Sequence, residues 1–363
     1  MLVFVAAVIS LGLCLVLARQ GERLGLVDRP GSEGHKRGDR AVPTVGGVGM
    51  FWALAVPMGA ILGSVWVLPS DRWTGWLSPV ADHVAGLRQT SGLGLAILGG
   101  LAAMHATGLW DDRRRLAAGP KLALQLTVAV VLAVAFDVRV LHMLDAWGPG
   151  GMALSMAVSV VWIVVITNAM NMLDNMDGLS AGVAAIIALV YLVATLIGGQ
   201  WFIAALAALL LGACIGFLCL NYPPATIYMG DAGSLVVGLM LAVISVRTTY
   251  VDAHVTTPAW TGLLMPLMVM AVPLYDFVSV TVLRALAGKS PFVGDTNHFS
   301  HRLVRMGLSK RGAVAVIWLA TAATAIAGMM LATLAPWQAA LAALQTAAIL
   351  ATLAILERSV ATP

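Results

Sequence analysis

The sequence predicts an all-α, polytopic integral membrane protein of about eleven transmembrane helices. Three observations carry that prediction. Of 363 residues, 60% are hydrophobic and 10% charged, with a mean hydropathy of +0.93, against roughly a quarter charged in soluble domains. Apolar runs close to the length of a bilayer crossing recur along the whole chain. Lys and Arg fall mostly on one side when the connections between those runs are assigned alternately to the two faces. The weak alternation of a transmembrane β-barrel is not the pattern. The runs leave no room for a soluble domain, so residues 1–363 are expected to form one membrane domain.

A spanning helix needs about 20 mostly apolar residues. Candidates fall at 2–18, 43–68, 92–110, 121–136, 151–167, 179–198, 201–220, 233–246, 261–283, 312–333 and 337–356. The first begins MLVFVAAVIS, with no basic leader and no small-residue cleavage site, so an uncleaved helix is expected rather than a signal peptide. The runs at 121–136 and 233–246 are short, and each fits a tilted or partly interfacial helix as well as a full crossing. Cys14, Cys214 and Cys219 lie in apolar runs without metal-ligand spacing and read as small buried hydrophobes.

Eleven helices starting outside would put Arg19, Arg23, Arg29, Lys36, Arg37, Arg40, Arg113, Arg114, Arg115, Lys121, Arg284, Lys289, Arg302, Arg305, Lys310, Arg311 and Arg358 in the inner connections. Only Arg72, Arg88, Arg139 and Arg247 would lie outside. Seventeen of the 21 basic residues on one side predict an outside N-terminus and a cytoplasmic C-terminus by the positive-inside rule. The net charge of +4 therefore reflects topology first and phosphate binding second, and no nucleic-acid partner is expected.

The same map sorts the carboxylates. Asp111, Asp112, Asp174, Asp177, Asp231 and Asp295 all fall on the inner side, while Asp71, Asp82, Asp137, Asp145 and Asp252 are scattered through outer loops. GLWDDRRRL at 108–116 reads as a solvated turn or as a carboxylate pair that needs a cation or proton between its members. MGDAGSLVVG at 229–238 reads as a helix start with Ser234 near its N-cap, or as an aspartate held where helix N–H groups meet a phosphate. In GDTNHFSHRLVRMGLSKR at 294–311, a helical turn would bring His298 and His301 beside Arg302 and Arg305. Two histidines without further ligands are weak evidence for zinc. Arginines, with imidazoles that change protonation near pH 7, suit a diphosphate better, and a plain basic loop is the alternative.

In NAMNMLDNMDGLSAG at 168–182, Asn168, Asn171, Asp174 and Asp177 recur every three residues. Each such step turns back by about 60° on an α-helix, so the four form a polar staircase rather than one flat face.

Taken in order, NAMNMLDNMDGLSAG, DDRRRL, NYPPATIYMGDAGSLVVG and DTNHFSHRL resemble the motifs of the polyprenyl-phosphate N-acetylhexosamine-1-phosphate transferases, and LVDRPGSEGHKRGDRAVPTVGG resembles that family's first cytoplasmic segment. The similarity runs from about residue 26 to about residue 311. The resemblance implies transfer of a sugar-1-phosphate from a UDP-sugar to undecaprenyl phosphate, with Mg²⁺ or Mn²⁺ and release of UMP. It implies a bacterial inner-membrane protein with its active site on the cytoplasmic face, and makes a homodimer reasonable. By the same resemblance Asp231 is the metal ligand, Asp111 deprotonates the lipid phosphate, and Asp112 stands beside it near the metal. Asn171, Asp174 and Asp177 match positions of the nucleotide and catalytic centre, Tyr228 an aromatic that stacks on uracil, and Asn221 a polar position of the same motif. His298, His301 and Arg302 match the diphosphate motif, and Lys36 and Lys121 are further phosphate partners.

Two departures stand out. The muramoyl-pentapeptide branch has three consecutive histidines where this chain has His298, Phe299, Ser300 and His301, which favours the N-acetylglucosamine branch. That branch usually has a further histidine where Ser300 stands, and many members have glycine where Asn175 stands. The rival classes are a secondary transporter and a non-catalytic scaffold. A transporter places ionisable groups at the midplane, often in inverted repeats. No repeat is visible here, and only Asp276, in VPLYDFVSV, reads as intramembrane, as a candidate partner for an inner-side arginine.

Overall fold

The computed structural model describes residues 1–21, 26–28, 41–69, 73–75, 81–248, 259–288 and 298–358. Lys36 and Asp295 lie outside the described residues. Each apolar run is helical: α1 (Leu2–Ala18), α2 (Gly46–Val67), α3 (Val84–Arg113), α4 (Ala118–Ala135), α5 (Pro149–Leu173), α6 (Leu179–Ile197), α7 (Trp201–Asn221), α8 (Asp231–Arg247), α9 (Ala259–Val269), α10 (Ala271–Leu286), α12 (Lys310–Met330) and α13 (Pro336–Arg358). The short α11 (Phe299–Arg305) carries the histidines.

Among the described residues, eight helices are long and apolar enough to cross a membrane: α2 to α7, α12 with the 3₁₀ turn that follows it, and α13. The predicted run at 261–283 is a broken pair, α9 and α10, bent by 71° and making at most a ninth span. Its cause is Pro273, which has no N–H for the Val269 carbonyl and whose ring clashes with it, so α9 stops at Val269. The other two runs, α1 and α8, have 17 residues each, below the usual crossing length. In α8 every residue from Ala232 to Val246 is buried, so its apolar surface serves packing against protein rather than lipid.

Close packing comes from small residues. On α7, Gly212 and Gly216 face α1 so tightly that an added Cβ would lie 2.2 Å from the Val3 carbonyl and 2.3 Å from that of Ala7. The Ser10 hydroxyl donates to the Ala213 carbonyl at 2.8 Å across the same seam. Cys14 and Cys214 are buried as expected, whereas Cys219 is exposed on the outer face of α7. Exposed apolar side chains such as Phe4, Val134, Leu344 and Ile355 line the bundle's periphery, the surface that lipid would wet.

One short polar ladder matters to the site. Val27–Asp28 pairs antiparallel with Val42–Pro43. The chain then runs beside 228–229, with Tyr228 N–H donating to the Pro43 carbonyl (2.8 Å), and Gly46 and Gly47 N–H to those of Tyr228 and Met229 (both 2.9 Å). These bonds pin the segment that leads into α8.

Candidate active site

The first turn of α8 is the hub. Gly230 precedes it with φ +67°, and an added Cβ there would meet Asp112 Oδ2 at 2.6 Å. Gly108 of α3 presses on the same turn, where a Cβ would lie 2.3 Å from Ala232 N. Two missing side chains thus let the end of α3 reach the start of α8. Asp112 completes the contact: its Oδ1 accepts from Asp231 N–H at 2.8 Å and its Oδ2 from Ala232 N–H at 3.1 Å. A carboxylate from another helix is therefore the cap, favourable for both the orphan donors and the helix dipole. Ser234, expected near the N-cap, lies a turn inside the helix, and its hydroxyl accepts from Asn171 Nδ2 at 2.8 Å. His105 Nδ1–H donates to the Ala232 carbonyl at 3.0 Å, its ring stacked 4.3 Å from that of Phe51.

Asp111 points elsewhere. Its Oδ1 accepts from Leu116 N–H at 2.7 Å and its Oδ2 from Lys121 Nζ at 3.2 Å. Lys121 also donates to Asp231 Oδ2, and Asn171 Nδ2 donates to Asp231 Oδ1 at 2.9 Å. Four elements, the ends of α3 and α5 and the starts of α4 and α8, so converge on one ammonium and two carboxylates. The cluster is open on one side, with side-chain exposures of 19% for Asp111, 27% for Asp231 and 16% for Lys121.

Among the described residues, no three His, Cys, Asp or Glu side chains gather as a metal cage. Mg²⁺ does not need one, since it commonly takes one or two carboxylates and completes its shell with water and substrate phosphate. Asp231 and Asp111 already hold a cation, the Lys121 ammonium, between their oxygens, so hard oxygen donors suited to such an ion are present. Asp112, expected beside the metal, has each oxygen engaged by a backbone N–H.

The polar staircase unfolds as a fan, because each three-residue step turns its member toward a different neighbour. Asn168 exchanges hydrogen bonds with Gln125 of α4, Asn171 faces α8, Asp174 ends α5 at its C-cap, and Asp177 Oδ2 accepts from Ala225 N–H at 3.0 Å. Asn221, buried, ties the two inner turns together: its Oδ1 accepts from Gly178 N–H and its Nδ2 donates to the Ile227 carbonyl, both at 2.8 Å. Tyr228 is 7% exposed, so its ring faces protein in this state.

The histidine motif is held by α10. Asp276, fully buried, pairs with no arginine among the described residues, contrary to expectation; its Oδ2 bonds His298 Nδ1 at 2.9 Å and its Oδ1 accepts from Phe299 N–H at 2.8 Å. It thereby orients an imidazole and caps α11 at once. Burial, then the neighbouring charges of His298 and Arg305, push His301 down to about 4, so it is neutral at pH 7 rather than poised to switch there. Arg302 donates to the Ser279 hydroxyl at 2.9 Å. Asp276 escaped the reading of the sequence as a site residue, although a lone carboxylate in an apolar run was the signal.

Residues 94–249 match glycosyl transferase family 4. The chain is 31% identical over 328 residues to the probable undecaprenyl-phosphate N-acetylglucosaminyl 1-phosphate transferase of Bacillus subtilis strain 168, covering 87% of this chain and 81% of the relative. It is 32% identical to the decaprenyl-phosphate N-acetylglucosaminephosphotransferase of Mycobacterium tuberculosis H37Rv, over 82% of this chain and 73% of the relative. With the undecaprenyl-phosphate alpha-N-acetylglucosaminyl 1-phosphate transferase of Escherichia coli K12 it shares 28% identity, over 88% and 80%.

Proposed function

The chain belongs to glycosyl transferase family 4, and on that footing we propose that it transfers GlcNAc-1-phosphate from UDP-GlcNAc to undecaprenyl phosphate and releases UMP. The observation that carries this reading is the convergence of Asp111, Lys121, Asn171 and Asp231, contributed from positions up to 120 residues apart. Phosphoryl transfer asks a protein for alignment and charge neutralisation more than for covalent chemistry. A bound Mg²⁺ or Mn²⁺ would neutralise phosphate oxygens; Asp231 would hold it, with Asp111 nearest. Asn171 keeps the Asp231 carboxylate turned outward from its helix start, and Lys121 offers an ammonium to a phosphate once a cation takes over its carboxylates. Asp111, open to one side, is placed to take the proton of the lipid phosphate for a single in-line displacement.

The acceptor has a fitting surface. A groove of about 910 Å³ between α9, α10 and α13 is lined by Leu267, Leu274, Val278 and Leu350, with Arg302 and Arg305 of α11 also on its wall. Apolar walls with guanidiniums beside them match a long isoprenoid chain ending in phosphate. The basic-residue bias supports a site on the cytoplasmic face of the inner membrane. Purified protein mixed with undecaprenyl phosphate, Mg²⁺ and a panel of UDP-sugars should release UMP with UDP-GlcNAc above all others. Release with none of them would refute the assignment.

A further inference from the structure

Asn175 and Ser300, from two motifs far apart in the chain, are bonded to each other. The Ser300 hydroxyl donates to Asn175 Oδ1 at 2.5 Å across 125 residues of chain, and the residues are 1% and 3% exposed. Asn175 spends the other end of its amide on the last turn of α5, donating from Nδ2 to the Met172 carbonyl at 2.9 Å. One small side chain is therefore clamped to the end of α5 and to α11 at the same time.

What flanks the pair gives it meaning. Asn175 lies between Asp174 and Asp177, and Ser300 lies between His298 and His301. α11 has seven residues, too few to hold itself, and its other polar ties described above, from Asp276 and Ser279, lead back to α10. The Ser300–Asn175 bond joins that helix to the carboxylate turn instead. Both partners are dry, so neither has water to replace the other.

We infer that Asn175 and Ser300 form a latch that sets the spacing between the Asp174–Asp177 turn and the His298–His301 helix, and so positions the diphosphate of the nucleotide-sugar donor. They are positioning residues and touch no reacting atom. This rests on the transferase reading above. The latch predicts a coupled effect confined to the donor.

The test is steady-state UMP release by wild type, Ser300→Ala, Asn175→Gly and the double variant, with UDP-GlcNAc and undecaprenyl phosphate varied separately. Each single change should raise the donor's KM about fivefold, leave the lipid's KM within twofold, and the double variant should be no worse than the poorer single. Losses that multiply in the double variant, equal shifts in both KM values, or unchanged singles would overturn the latch while leaving the transferase intact. A wild-type protein that released no UMP would instead remove the transferase reading, and the latch with it.

Discussion

Just past the C-terminal end of α4, Arg139 donates to Asp145 through both terminal nitrogens, at 2.9 and 3.1 Å, and also reaches Asp137 and the Ser155 hydroxyl. At the N-terminal end of the same helix, Lys121 stands between Asp111 and Asp231 while Asp112 caps α8. Both ends use aspartates and one basic side chain. The first is matched: a planar fork meets a carboxylate two-to-two, His142 adds a bond to Asp137, and the network fastens the 3₁₀ turn His142–Trp147 onto α5. Hydrogen bonds from Arg139 hold the Asp145 carboxyl below its usual range, and those from Arg139 and His142 outweigh burial to do the same for Asp137. The second is unmatched: two carboxylates, Asp111 and Asp231, share one ammonium, and one side stays open. Satisfied charge builds structure, and unsatisfied charge invites a ligand.

Mutations at the two ends should therefore read out differently. The largest effect is expected from Asp231→Asn and Asp111→Asn, each lowering kcat by about a hundredfold or more while the melting midpoint in detergent stays near wild type. Near-normal turnover in both would erase the contrast. Lys121→Gln should cost about tenfold in turnover and lower the Mg²⁺ concentration needed for half-maximal rate, since the ammonium no longer competes for the carboxylates. An unchanged Mg²⁺ requirement would show that lysine and metal occupy different places.

Asp112→Ala sharpens the comparison from within the site, because both its oxygens accept from backbone N–H groups of α8. Losing the cap of α8 should destabilise the fold by about 1–2 kcal/mol, seen as an earlier melting transition, with activity falling in step. At the far end, Arg139→Ala should also lower the melting midpoint but leave kcat and both KM values within twofold. A large kinetic defect there would mean that the matched network is coupled to chemistry.

A pH dependence gives a separate test. A free imidazole titrates near 6.5, and burial holds His301 down to about 4, so between those values the unfolded chain binds a proton that the folded chain refuses. The stability owed to neutral His301 is complete above pH 6.5 and is lost as the pH falls toward 4. Melting curves of wild type should drop more steeply across that window than those of His301→Gln; parallel curves would contradict the shift.

How much of this was legible before the coordinates differed from residue to residue. Asp111, Asp112 and Asp231 stood with Asp174, Asp177 and Asp295 on the inner side of the map, and the family resemblance is what gave them roles. Lys121 could not be ranked above Lys36, since nothing in a linear pattern says which lysine lies between two aspartates 120 residues apart. Asp111 and Asp112 read as one adjacent pair, yet successive helical positions diverge by about 100° and face different partners. Asp276 was visible as a misfit but was assigned an arginine, because the α9–α10 bend that presents it to α11 depends on packing as well as on proline.

Composition and the recurrence of apolar runs alone determined that this is a polytopic helical membrane protein and where most of its apolar helices lie, because lipid forbids unpaired backbone and charge outside a few places. Only the tertiary structure decided which of those residues meet. Hydrogen bonds act over about 3 Å, and helix packing alone brings Asp112 to Asp231, Lys121 to both carboxylates and Ser300 to Asn175.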